Sequence, residues 1–182
     1  MHEYVLPVRL IFYAMNKKTR SLTLSALFSA LTVISLFIAS VWPTGQLGLA
    51  AFSSLFAAAA IIESGLGAGV YVFICSALLS MLLLSNRTAP LLYTLFFGYY
   101  PVLKSLIERI AAVPLQWALK LAVFNAALIA IYFLLRELFF DFGGYKPGLI
   151  IYCLAGSAVF ALFDYGFSKV ITLYDTRVHN RR

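Results

Sequence analysis

Six apolar stretches divide this chain, and each is long enough, or nearly so, to cross a lipid bilayer. An α-helix needs about 20 apolar residues to cover the roughly 30 Å hydrocarbon layer. The first stretch is 21–42, stopped by Pro43 and Gly45. The second, 47–62, is short and ends at Glu63-Ser64-Gly65. The third is 66–84, ending at Ser85-Asn86-Arg87. A fourth starts after Pro90 and runs toward Leu103, with Lys104 placed to snorkel to the interface. The fifth is 115–135, and the sixth, 147–173, is long enough to tilt. With 63% apolar and 12% charged residues, the chain carries more apolar surface than one soluble core of this size hides. The expected fold is all-α: a polytopic membrane protein of six transmembrane helices.

Charge sets the orientation. With the N-terminus inside, eleven of the Lys and Arg residues fall on the cytoplasmic side. Three fall outside: Arg87, Arg136 and Lys146. That is a strong positive-inside bias, and it requires an even number of spans because both tails are basic. Both termini are therefore expected in the cytoplasm. Trp42 and Trp117 fall at opposite ends of their spans, as aromatic belts do. The net charge of +7 reflects this flanking pattern, and no basic patch interleaved with stacking aromatics points to nucleic acid. The expected division is a 1–20 cytoplasmic or interfacial segment, a 21–175 transmembrane domain and a 176–182 basic tail. Residues 1–14 read either as an extension from an upstream start codon, with Met15 the true start, or as a short interfacial segment. No small-residue cleavage site follows them, which argues against a cleaved signal peptide.

Two local features have two readings each. Glu63 with Gly65, Gly67 and Gly69 makes either a tight cytoplasmic turn or a break inside the membrane. Residues 104–113, KSLIERIAAV, form either a solvated helix end or a coupling surface for a partner.

Catalytic signals are absent. His2 and His179 lie in the tails, Cys75 and Cys153 lack metal or disulfide spacing, and there is no P-loop, HExxH or paired-carboxylate motif. No enzyme activity, metal or cofactor is expected, and any energy must come from elsewhere. Ionisable and polar groups inside spans mark function more often, because burying charge in lipid is expensive. Glu63 is either an interfacial carboxylate or a coupling group. Asp164 in the sixth span has Lys169, Lys120 or Asn125 within reach. It is either a paired structural group or a proton-coupling residue. Asn125 itself reads as interhelical glue. On the external face, Trp42, Asn86, Arg87, Tyr93 and Tyr145 fit either a small-molecule pocket or an interfacial belt. Asn86-Arg87-Thr88 matches a glycosylation sequon, discounted because the rest of the chain looks bacterial. In the fourth span, Gly98 three residues before Pro101 predicts a kink.

Low in the first span the chain reads Ser25-Ala26-Leu27-Phe28-Ser29-Ala30, with Ala26 and Ala30 on one helical face. Small residues four apart let another backbone approach closely in lipid. A chain of this size, with six spans, N-terminus inside and Ala26-xxx-Ala30 low in the first, resembles the substrate-binding S components of energy-coupling factor transporters. The resemblance implies capture of a vitamin-like micronutrient from outside the bacterial plasma membrane. It implies a membrane T component docking on Ala26 and Ala30, and two cytoplasmic ATPases as the energy source. The likeness covers the layout and one short motif, with no substrate-specific signature. Two other classes stand beside it: a non-transporting membrane scaffold, and a small proton-coupled secondary carrier.

Overall fold

The structure is a computed structural model that describes residues 5–134 and 149–179. Every regular element among them is helical: α1 (Val5–Val41), α2 (Gln46–Ser64), α3 (Leu66–Leu83), α4 (Thr88–Leu92), α5 (Tyr100–Ile107), α6 (Val113–Leu134) and α7 (Leu149–His179). In hydrocarbon a backbone must satisfy its own N–H and C=O groups, and a helix does so within one segment. Among the described residues, four segments have the length and apolarity to cross a membrane: Lys18–Val41, Gln46–Ser64, Leu66–Leu83 and Val113–Ile131. The protein is an all-α polytopic membrane protein.

The six stretches of the sequence become α1, α2, α3, the broken α4–α5 rod, α6 and α7. Bonds between distant elements fix their alternation. Asn86, before α4, donates to the Ser40 carbonyl at the end of α1 (3.2 Å). Tyr174, late in α7, reaches Glu63 at the end of α2 (3.4 Å). One end of the bundle thus gathers Lys18, Arg20, Glu63, Arg109 and Lys169, and is called the basic end below. Helix α1 runs without interruption from Val5 to Val41, across the boundary at residue 20 that the sequence suggests. Helix α7 continues past residue 175 to His179, so the start of the basic tail is helical.

Packing is inverted relative to a soluble bundle. On α1 the buried stripe is Ser25, Ser29, Thr32, Ser35, Leu36 and Ala39, whereas Leu27, Ile34, Phe37 and Ile38 face outward. Lipid solvates large apolar side chains as well as the interior does, so small residues win the interfaces by letting backbones approach. Some buried hydroxyls turn back onto their own helix: Thr32 donates to the Phe28 carbonyl at 2.8 Å and Ser53 to that of Ala50 at 2.6 Å. Helix α2 is the hub, touching α1, α3, α4, α5 and α7. Its buried Ala50, Ser53, Ser54, Ala57, Ala58 and Ala60 explain how it can have so many neighbours.

At the α2–α3 junction the chain makes a tight turn. Gly65 alone separates the helices at φ 90°, a left-handed conformation that costs an L-residue its Cβ clearance. The fourth span bends where its sequence says, in a specific way. Pro101 has no N–H for the Phe97 carbonyl, and the chain widens into a π-helical turn over Tyr93–Phe97. The Gly98 N–H closes that turn on the Tyr93 carbonyl at 2.6 Å. A Cβ on Gly98 would sit 2.5 Å from the Phe73 ring and 2.8 Å from that of Tyr93. Gly98→Ala is therefore expected to cost about 1–3 kcal/mol by overpacking. Gly67→Ala, where a Cβ meets nothing within 4 Å, is expected to be neutral. Thermal melts of the two variants in one detergent check the contrast.

Candidate functional site: an apolar cavity above a buried ion ring

Three helices bring charge into the bundle near the basic end. Tyr100 and Lys104 of α5 and Glu108, just past its end, lie one turn apart on a single stripe; α6 contributes Lys120, and α7 contributes Asp164 and Ser168. Two cations and two carboxylates alternate in a closed ring. Lys104 Nζ pairs with one Asp164 oxygen and with Glu108 at 2.9 Å. Lys120 Nζ pairs with the same Glu108 oxygen at 2.8 Å and with the other Asp164 oxygen at 3.1 Å. Lys104 also donates to Ser168 Oγ (2.8 Å), and the Tyr100 hydroxyl donates to Asp164. The formal charges cancel, which is the condition for keeping ions away from water. Only Glu108 reaches solvent, with its side chain 44% exposed against 3–6% for the other three. Burial raises the Glu108 carboxyl, but the Lys120 and Lys104 bonds outweigh it and hold it below the ordinary glutamate range.

One helical turn farther from the basic end, every ring helix carries an aromatic. Phe96 precedes Tyr100, Phe124 follows Lys120 and Phe160 precedes Asp164. Phe124 and Phe160 stack at 4.5 Å and 15°. Phe96 meets both edge-on at 5.3 and 5.9 Å, and Tyr100 meets Phe96 at 5.1 Å and Phe160 at 5.6 Å. An aromatic layer therefore lies on the ionic layer, and Tyr100 joins the two.

Above the aromatic layer is a cavity of about 410 Å³, within the range of small-molecule sites. Leu47, Gly48 and Ala51 of α2 wall one side. Leu92, Phe96 and Phe97 of the bent rod, Phe124, Leu128 and Ile131 of α6, and Gly156, Val159, Phe160 and Phe163 of α7 complete it. It lies toward the end of the bundle opposite the basic end, near the connections after α1 and α3.

No family model, no curated protein and no solved structure matches this chain.

The residues singled out from sequence fall in several places. Trp42 (65% exposed) and Arg87 lie on the surface. Asn86 ties loop to helix through Ser40 and accepts the Thr88 N–H at 3.1 Å. Tyr93 is fully buried on the far side of the rod, its hydroxyl 2.9 Å from Ser76 Oγ of α3. None of these four lines the cavity; of the π-helical turn, Phe96 and Phe97 line it and Tyr93 does not. Tyr145 lies outside the described residues. Ala26 and Ala30 face outward from α1, while Ser25 and Ser29 face inward.

The intramembrane polar groups also sort out. Asp164 pairs with Lys120, as one sequence reading had it, but also with Lys104, which is buried at 3% rather than snorkelling. Lys169 instead sits over the Tyr165 ring at 5.6 Å. Asn125 bonds the Leu121 carbonyl (2.9 Å) and Ser157 Oγ (3.3 Å), tying α6 to α7. The aromatic floor went unread in the sequence. A signal for it existed: Phe160, Phe163, Asp164 and Phe167 share one helical face, and a carboxylate within an aromatic stripe must point inward.

Proposed function

We propose that this chain is the substrate-binding membrane subunit of an energy-coupling factor type transporter, which captures a small molecule from outside. The observation that carries the reading is the cavity of about 410 Å³, floored by aromatics and walled by four spans. With the basic end in the cytoplasm, by the positive-inside bias, the cavity lies in the outer half of a bacterial plasma membrane. Energy would come from a membrane T component and cytoplasmic ATPases. The outward-facing Ala26 and Ala30 offer a flat strip on which another helix can pack closely.

Native mass spectrometry of gently purified protein tests this. A bound molecule of one defined mass is expected, absent in Gly48→Phe, which places a ring in the cavity wall. Co-purifying ATPases are expected to be lost when Ala26 and Ala30 both become Leu. Protein that carries neither ligand nor partners would count against the proposal.

The buried ring favours one second reading, a proton-coupled carrier built on Asp164. On that reading the chain alone drives uptake into liposomes under a proton gradient, and Asp164→Asn abolishes it. Uptake that requires ATPase partners rejects it.

A further inference from the structure

We infer that the molecule held in the cavity is uncharged and apolar, with a flat ring system or a hydrocarbon chain as its body. The inference rests on the capture reading above and deepens it, because it names the substrate class. All the described residues lining the cavity are apolar. Three polar side chains close in sequence to the lining are engaged elsewhere. Tyr100 lies behind the floor and bonds Asp164, Asn125 bonds Leu121 and Ser157, and Thr94 donates to the Pro90 carbonyl at 2.8 Å. A ligand's hydroxyl, carboxylate or ammonium, placed against this wall, would lose its water and gain nothing in return. The wall suits a flat apolar body. Phe124 and Phe160 present a stacked pair with Phe96 edge-on, while Gly48 and Gly156 thin the sides.

A matched pair of probes tests this: neutral N-phenylnaphthylamine and the anionic anilinonaphthalene sulfonate, which shares its skeleton. Binding is measured to the full chain in lipid nanodiscs, with empty nanodiscs subtracted. The neutral probe is expected to bind saturably, one per chain, with the sulfonate weaker by roughly tenfold or more, since its ion finds no partner. Gly48→Phe is expected to abolish the saturable component. A Cβ there meets nothing within 4 Å, so the fold is expected to tolerate the change. Ala51→Phe serves as a second block, and both variants should melt with the parent.

Sulfonate binding that equals or exceeds that of the neutral probe, and is lost in both variants, overturns the apolar inference and leaves the capture reading standing. Absence of saturable binding by either probe overturns both. The mass that the neutral probe displaces separates two sources of the same chemistry. A phospholipid mass identifies an acyl chain as occupant, and a smaller apolar mass identifies a free solute. A displaced charged solute overturns the inference.

Discussion

Asp164→Asn is expected to destabilise the folded bundle by about 3–5 kcal/mol. Asp164 takes Lys104 on one oxygen and Lys120 on the other. Its removal leaves two buried ammonium groups sharing Glu108, whose carboxylate already faces water in part. The neutral amide keeps the volume and some hydrogen bonds but leaves a net positive charge in low dielectric. Charge balance makes a sharper prediction. A double variant, Lys104→Met with Asp164→Leu, removes one cation and one anion and leaves the Lys120–Glu108 pair intact. It is expected to recover most of the stability that either single change loses, because a buried ion pair replaced by apolar residues of similar volume is often neutral. A double-mutant cycle on melting curves in one detergent reads this directly. Additive losses would show that the ring is a set of independent bonds and not a charge-balanced unit.

Phe160→Ala is the second large effect. Phe160 is 1% exposed and touches Phe124, Phe96 and Tyr100. In a soluble core such a truncation costs about 3–5 kcal/mol. Here the alternative environment is lipid, so the transfer part shrinks and the lost packing remains, leaving roughly 2 kcal/mol. Phe37→Ala removes the same atoms from a lipid-facing site (59% exposed) and is expected to cost little. The functional consequence is specific: without Phe160 the cavity floor opens toward Tyr100 and Asp164. Bound molecules of larger size or with one polar group are then expected to be accepted. A melt that matches Phe37→Ala would mean that the aromatic layer does not bear on stability.

These two sites also show what a sequence of this kind makes legible. The spans were readable because membrane crossing demands length and apolarity, which a one-dimensional pattern carries directly. Pro101 announced the bend, because a missing N–H is a local fact. The ring was only half readable. Asp164 within an apolar stripe declared itself, but Lys104 stands at the end of a span, where a lysine usually snorkels. Its partner lies 60 residues away. The pocket residues were the least readable. Aromatic and polar residues near the outer ends of spans drew attention to Tyr93, and a π-helical turn of five residues decided that Phe96 and Phe97 line the cavity instead. A single extra residue per turn rotates a whole face, and nothing in composition records it. The inward Ser25 and Ser29 beside the outward Ala26 and Ala30 follow helical spacing, but which pair faces the bundle is set by α2 and α3.

The most direct test of the account is a density map of the protein purified in lipid from its source cells. Density for one small molecule is expected between Gly48 and the Phe124–Phe160 pair, with no charged group facing the wall. A map in which the side chains of Leu128, Val159 and Phe163 close the space and leave it empty of any molecule would contradict the claim that this chain captures a ligand there.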